Sequence, residues 1–226
     1  KIDMKKITLT FDNGPDPEVT PYVLDILHRK KIAASFFVLG DKLRDRRAVC
    51  ERAKDEGHWI GNHSFNHLVP LGMSQVAGCA EREMRRTERL LQGLAHEDKF
   101  FRPFGGGGLL DERLFNQEAF SCLIEEAYTC VLWNAIPRDW MDPEGWPDIA
   151  LKQAALQEHS LMVLHDLPTD AMFKLESFID QAQDRGYSFV QAFPDDCVPV
   201  QRGEVLLPME PYISRDNMHL GPSVVG

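Results

Sequence analysis

Two histidines four residues apart form the pair best suited to chemistry in this sequence. His63 and His67 enclose the stretch HSFNH, and on one helical turn or a tight loop both imidazoles can point at one metal ion. The spacing alone is weak evidence, because the same pattern occurs by chance on surface helices. It gains weight because it follows a short predicted strand, just as Asp12 and Asn13 follow another. We therefore predict a metal site here.

Side chains able to do chemistry also stand at the ends of other predicted strands. These strand-end residues are Asp12 and Asn13 in LTFDNGP, Arg102 in RPFG, Asp139 and Trp140 in RDW, and His165 and Asp166 in VLHD. Singly, Asp12 could be a turn or cap residue and His165 a hydrogen-bonded core histidine. Arg102 and Asp139 could form a structural ion pair. A purely structural domain would place glycine, asparagine and proline at these points, so the set as a whole favours an active site.

Alternating strands and helices must position these residues. Seven short runs are predicted as strands, at residues 6–11, 34–39, 58–62, 99–102, 128–133, 161–164 and 187–192. Helical patterns lie between them, so the strands should be parallel, in either a closed β/α barrel or a doubly wound sheet. In both architectures functional groups gather at the carboxyl ends of the strands. The pattern fades after Pro194, which predicts a domain over residues 1–193 and a loosely packed extension over 194–226.

Two helix starts are predicted from capping residues. Ser74 would cap a long helix after the third strand. The apolar face of that helix would carry Val76, Ala80, Met84, Thr87, Leu91 and Leu94 at steps of three and four. Thr20 would cap the first helix, with Pro21 at the first helical position.

The composition limits the classes of partner. The 226 residues are 43% hydrophobic and 27% charged, with a net charge of −10 and a pI near 5.3. This acidity and the lack of a basic cluster argue against nucleic acid, and no apolar run reaches about 18 residues, which argues against a membrane. Five scattered cysteines predict free thiols. With no apolar leader ahead of the first strand, we expect a cytoplasmic protein. The oligomeric state is left open.

The strand-end motifs resemble those of polysaccharide deacetylases of the NodB-homology type, carbohydrate esterase family four. The resemblance spans about residues 6 to 193. It rests on TFDNGP at Thr10–Pro15, HSFNH at His63–His67, RPFG at Arg102–Gly105, Asp139-Trp140, and Val163-Leu164-His165. Each motif is short, but five in order, one per strand end, are specific together. The resemblance implies an α/β fold, a distorted (β/α)7 barrel with an irregular C-terminal tail, and metal-assisted hydrolysis of an N- or O-acyl group.

The resemblance also implies an acid, a base and their supports. Asp12 would be the general base that takes a proton from the attacking water, and Arg102 would hold it in place. His165 would be the general acid that protonates the leaving amine. Asp139 would either tune His165 or pair with Arg102. Such a division agrees with the needs of amide hydrolysis, in which a base and a separate acid act on opposite sides of the acyl group.

A metal and an acyl pocket complete the implied site. His63 and His67 would be metal ligands, with zinc expected and cobalt or nickel as alternatives. The backbone N–H of Phe104 would help to bind the oxyanion, and Trp140 and Val163 would wall the acyl pocket. An oxyanion donor of this kind contributes roughly 3 to 4 kcal/mol to catalysis.

Asn13 departs from the family pattern, which has a metal-binding aspartate there. An amide oxygen can coordinate a cation but carries no charge, so the metal affinity should fall. Three outcomes remain open. The metal could bind through His63, His67, the Asn13 oxygen and water; another group such as Asp16 could substitute; or the site could work without metal, or not at all.

Three alternative functions are therefore consistent with the sequence. The first is a metal-assisted deacetylase of N-acetylated carbohydrates. The second is a metal-poor cytoplasmic hydrolase of small non-peptide amides. The third is an inactive carbohydrate-binding relative, for which the asparagine at position 13 is the support. Retention of both Asp12 and His165 argues against the third, because a binding protein needs neither a base nor an acid.

Overall fold

Parallel strands alternate with helices along most of the chain in the computed structural model, which describes residues 4–215. The strands are β1 (Lys6–Asp12), β2 (Ser35–Val38), β3 (Trp59–Asn62), β4 (Phe100–Phe101), β5 (Thr129–Cys130), β6 (His159–His165), β7 (Ser188–Phe189), β8 (Val200–Gln201) and β9 (Glu204–Val205). The α-helices are α1 (Val19–Lys30), α2 (Gly40–Asp55), α3 (Arg86–Leu90), α4 (Gln117–Glu125), α5 (Trp146–Ala155) and α6 (Leu175–Asp184). A π-helical turn, Ala80–Arg85, leads directly into α3. None of these helices combines the length and apolar character needed to cross a membrane.

The strands form a curved sheet in the order β6-β1-β2-β3-β4-β5-β8-β9, and β7 pairs with the first residues of β1. All seven predicted strands are present, and every pairing among them is parallel. Beyond β5 the chain continues to Ala135, which bridges Met162 of β6 and so brings the two sides of the sheet together. The predicted distorted β/α barrel is confirmed.

β1 is buried on both faces, although apolar residues alternate with threonine along it. Ile7, Leu9 and Phe11 of β1 are fully buried and pack in one core cluster with Leu24 and Leu27 of α1. The alternate residues Thr8 and Thr10 are buried as well, as expected for a strand covered on both faces. With both faces of β1 covered, its carboxyl end, where Asp12 follows the last apolar residue, is the part that can reach a site.

The predicted long helix after β3 is wrong in its first part. Helical structure starts at Ala80, not at Ser74, and it opens as a π-helical turn. Gly78 has a positive φ of 89° before it, and the Glu118 carboxylate accepts hydrogen bonds from the N–H groups of Gly78 and Cys79. Val76 is 67% exposed, whereas the other five members of the predicted apolar face are buried.

The described part of the predicted tail is mostly exposed over residues 201–208, but it also forms two short strands. β8 pairs antiparallel with β5, and β9 folds back on β8. Cys197, Val200 and Met209 are buried in the same cluster as the residues around β4 and β5. Residues 216–226 of the predicted extension lie outside the described residues, and the division into a domain and an extension stays a prediction.

Candidate active site

A pocket of about 360 Å³ opens at the carboxyl ends of the strands. Its lining includes eight of the ten predicted site residues, namely Asp12, Asn13, His63, His67, Phe104, Trp140, Val163 and His165. The remaining two, Arg102 and Asp139, are fully buried and contact members of the lining from behind. The sequence-predicted residues therefore converge on one place.

Asp12 is held by Arg102 at the base of the pocket. The Arg102 Nη1 donates to Asp12 Oδ1 at 2.9 Å and to Thr10 Oγ1 at 2.7 Å, and its other nitrogens donate to the carbonyls of Val131 and Leu132. Burial favours the neutral carboxyl, but the positive charge of Arg102, helped by nearby imidazoles, holds the pKa of Asp12 below its usual range. Asp12 is thus an ionised carboxylate, able to accept a proton.

His165 is held by Asp139 on the neighbouring strand end. Its Nδ1–H donates to Asp139 Oδ1 at 2.7 Å, and its backbone N–H donates to the other carboxylate oxygen at 2.9 Å. Burial would lower the pKa of His165, but the hydrogen bond and charge of Asp139 outweigh it and raise the pKa. Of the two predicted roles for Asp139, support of His165 is the one observed, whereas Arg102 pairs with Asp12.

Base and acid candidates stand side by side because of strand register. Asp12 of β1 is the direct partner of His165 in β6, and parallel neighbours lie about 4.8 Å apart along the hydrogen-bonding direction. Residues in register on adjacent strands point to the same face of a sheet. Both side chains therefore face the pocket, with Asp12 negatively charged and His165 biased toward its protonated form.

His63 and His67 lie together beside this pair. Their ring centroids are 5.1 Å apart, and His63 Nε2 is 3.6 Å from Asp12 Oδ2. The Nδ1 of His63 lies 2.7 Å from the Arg102 carbonyl oxygen, which can only accept, so Nδ1 carries the proton and Nε2 keeps its lone pair. Burial lowers the pKa of both rings, that of His67 to about 3. Neutral imidazoles are the form that binds metals.

Asn13 contributes a buried amide oxygen with no hydrogen-bond partner among the described residues. Its backbone is left-handed, with φ of 77°, and the Lys42 Nζ donates to its carbonyl at 2.7 Å. An orphaned buried oxygen costs free energy unless something coordinates it. Two neutral imidazoles and this oxygen are a donor set that fits a divalent cation, although no cluster of three or more His, Cys, Asp or Glu residues within 4–215 is arranged to hold one.

The suggestion that Asp16 replaces the missing carboxylate is wrong. Asp16 Oδ1 accepts hydrogen bonds from the N–H groups of Glu18 and Val19 at the start of α1, and Asp16 does not line the pocket. It therefore acts as a helix cap. Thr20, predicted to be that cap, lies inside the helix and donates its hydroxyl to Asp166 Oδ2 at 2.5 Å.

Apolar and glycine residues shape the rest of the pocket. Trp140 meets His165 edge to face, with centroids 5.0 Å apart, and Phe104 stacks on His67 at 3.8 Å. Four consecutive glycines, at positions 105–108, form a loop beside the pocket, and Trp133 Nε1 donates to the Gly108 carbonyl. The role of the Phe104 backbone N–H stays a prediction.

Sequence reasoning missed the support behind Asn13. Asp166 is buried below the Asn13 loop, residues 13–15 after β1, and a Cβ on Gly14 would collide with the Asp166 carboxylate. Burial raises the pKa of Asp166 to about 7, although the Thr20 hydroxyl opposes the shift. Its position directly after His165 was a signal, but nothing local to either stretch indicates that residue 166 lies under residue 14.

Comparison with known proteins identifies the family. The family model described as polysaccharide deacetylase matches residues 1–119 of the chain. A peptidoglycan-N-acetylglucosamine deacetylase of Bacillus cereus is 32% identical over 193 residues, which cover 82% of this chain and 85% of the relative. This chain belongs to the polysaccharide deacetylase family. The predicted enzyme class, a hydrolase of C–N bonds other than peptide bonds, is confirmed at this level.

Solved structures of family members share the fold. A T48 deacetylase solved with substrate has a TM-score of 0.68 and 29% identity, covering 83% of this chain and 88% of that one. A family 4 acetyl xylan esterase from Clostridium thermocellum, in complex with a cobalt ion, has a TM-score of 0.67 and 27% identity, with the same coverage. This polysaccharide deacetylase chain is thus similar to a structure with substrate and to another with a metal.

Proposed function

We propose that this protein removes acetyl groups from N-acetylated carbohydrates by metal-assisted hydrolysis, with Asp12 as base and His165 as acid. The observation that carries the proposal is the pairing of these two residues across adjacent strands, each with its own buried supporting partner. The similarity to a peptidoglycan-N-acetylglucosamine deacetylase supports an acylated sugar as substrate. A binding protein would need neither supporting pair.

In the proposed reaction Asp12 accepts a proton from the attacking water while the water oxygen bonds to the acyl carbon. Arg102 keeps the carboxylate ionised and fixes its direction. His165 then donates its proton to the leaving nitrogen as the C–N bond breaks, which releases acetate and a free amino sugar. Its Nδ1–H stays on Asp139, so Nε2 is the nitrogen that faces the substrate.

His63, His67 and Asn13 would hold the metal. We propose zinc, with cobalt or nickel able to substitute. The cobalt ion in the similar esterase structure supports a divalent metal at such a site. A bound divalent metal supplies Lewis-acid chemistry, lowering the pKa of water and polarising the acyl carbonyl. Because Asn13 is neutral, affinity should be weaker than in a site with a carboxylate.

The test is acetate release from two substrate classes. Metal-stripped protein is titrated with zinc, cobalt and nickel, then assayed on N-acetylglucosamine oligomers and on a panel of small non-peptide amides. We expect metal-dependent release from the oligomers. Release from small amides alone would favour the alternative of a cytoplasmic amidase, whose location stays a prediction. Binding of oligomers without release, unchanged in D12N, would favour the inactive relative.

A further inference from the structure

The loop that carries both histidines is held in a strained shape. Ser64 and His67 have positive φ values of 75° and 56°. Few residues other than glycine adopt this conformation; Asn, Asp and His do so more often than the rest, which leaves Ser64 as the more unusual of the two. Such strain persists only where the surroundings impose it. The question is therefore which side chains outside the loop keep it in place.

Glu83 in the π-helical turn provides one such contact. Its Oε2 accepts hydrogen bonds from the backbone N–H groups of Phe65 at 2.9 Å and Asn66 at 3.3 Å. Both donors lie between the two histidines. Because the acceptor is a carboxylate, these bonds are stronger than bonds between neutral groups. Glu83 is thus hydrogen-bonded to the backbone at the centre of the loop.

Asn62 links the same turn to the beginning of the loop. Its Nδ2 donates to the Met84 carbonyl at 2.9 Å, and its Oδ1 accepts from the backbone N–H of Ser64 at 3.0 Å. Asn62 is fully buried. One side chain therefore connects the π-helical turn with the residue whose backbone is left-handed.

Arg86 adds a contact from the first turn of α3. Its guanidinium lies 3.6 Å from the centre of the Phe65 ring, close enough for a cation–π interaction. Glu83 and Arg86 thus contact the loop directly, and Met84 is linked to it through Asn62. π-Helical turns occur frequently at functional sites, and here Glu83 of the turn reaches the loop while the Met84 side chain is buried in the core.

From these contacts we infer that Glu83 is a positioning residue for the metal ligands, acting through the loop backbone to fix His63 relative to His67. The inference deepens the proposed function, since it rests on those histidines as ligands. Residues that orient metal ligands typically change affinity by about 10- to 100-fold when replaced. Glu83 would act in this way without contacting either ring.

The test is a graded series of cobalt affinities, measured by spectroscopic titration without substrate. Gln keeps an acceptor oxygen but no charge, so E83Q should bind cobalt about 3-fold more weakly than wild type. Met keeps the bulk of the side chain but has no acceptor oxygen, so E83M should bind cobalt at least about 10-fold more weakly. E81Q and E81M are matched controls. Glu81 is exposed on the same turn and pairs with Arg89 instead. Both controls should match wild type.

Amide hydrogen exchange gives a second measure that needs no metal. The amides of Phe65 and Asn66 should exchange faster in E83M than in E81M. Equal cobalt affinities across the series, or equal exchange at these two amides, would overturn the inference. If E83M does not fold, the comparison of E83Q with E81Q in cobalt affinity and amide exchange tests the inference. If the wild type deacetylates its substrate but all variants bind cobalt equally, only this inference is refuted. If cobalt affinity falls through the series but no deacetylation is detected, only the proposed function is refuted.

Discussion

The site has two halves that the fold treats differently. The acid–base half, as proposed, consists of Asp12 and His165, which end regular strands in register and are each bonded to a buried partner. The metal half, as proposed, consists of His63, His67 and Asn13, two of which have left-handed backbones. In the first half each candidate catalytic group has its supporting partner, whereas in the second the Asn13 oxygen has none among the described residues.

The two halves differ in how far a substitution in them would affect the rest of the fold. The acid–base half is built into the barrel wall, because Arg102 also holds Thr10 and two backbone carbonyls. Replacing Arg102 would therefore leave several buried acceptors without their donor. The metal half sits on loops held by contacts from outside, so a single replacement there alters charge while the wall stays intact. Asn13 is such a replacement relative to the family motif.

Breaking the acid–base half should have the largest effect. We expect D12N to lower kcat/KM for acetate release by about 10²- to 10⁴-fold, since the amide cannot accept the proton. Cobalt affinity should fall by much less, because His63 and His67 keep their positions. Steady-state kinetics and cobalt titration on one protein preparation measure both.

D16N is the control for that experiment. It removes the same charge four residues away, and Asn caps helices as well as Asp does. Its kinetics should match wild type. A D12N protein that keeps its turnover would remove Asp12 from the role of base.

Restoring a carboxylate to the metal half should have the next largest effect. We expect N13D to tighten cobalt and zinc binding by about 10- to 100-fold, or 1.4 to 2.7 kcal/mol, because a charged ligand replaces a neutral one. Equilibrium competition against a chromophoric chelator measures the change. L68D adds the same charge directly after the histidine loop, at a side chain that is exposed and outside the pocket lining, and should change affinity by less than about 3-fold. Equal gains in both variants would mean that overall charge, not coordination by residue 13, sets the affinity.

The strand ends could be predicted because two local signals coincide there. An apolar run marks a buried parallel strand, and the first polar residues after it must face the carboxyl edge, as Asp12 and His165 do. The register that places them side by side follows from the architecture. The same reasoning correctly brought Arg102 and Asp139 to the site.

The supports of the metal half could not be predicted, because they depend on contacts between distant segments. Glu83 reaches Phe65 only because helical structure starts late, at Ala80, after a turn that Glu118 holds. The apolar periodicity predicted a regular helix from Ser74 and gave no sign of a π-helical turn. Asp166 was noticed as a strand-end residue, but its place below Gly14 depends on packing.

Weakening the support of the acid should have a smaller, pH-dependent effect. Asp139 raises the pKa of His165, so D139N should lower that pKa. Since the acid must be protonated, the alkaline limb of the kcat/KM profile should move to lower pH. D142N is the control, because Asp142 is on the same loop and caps Gly145. An unmoved alkaline limb would mean that His165 does not act as the acid.

The smallest effect should come from the support below the Asn13 loop. T20V removes the hydroxyl that donates to Asp166 Oδ2, and we expect the free energy of unfolding to fall by about 1 kcal/mol. The lost donor stabilised the ionised carboxylate, whose pKa is about 7, so the loss should be larger at pH 8 than at pH 5. Urea unfolding at both pH values measures it, and T20S, which keeps the hydroxyl, should match wild type. An equal loss at both pH values would show that Thr20 stabilises the fold through its hydrogen bond with the Asp16 N–H and not through Asp166.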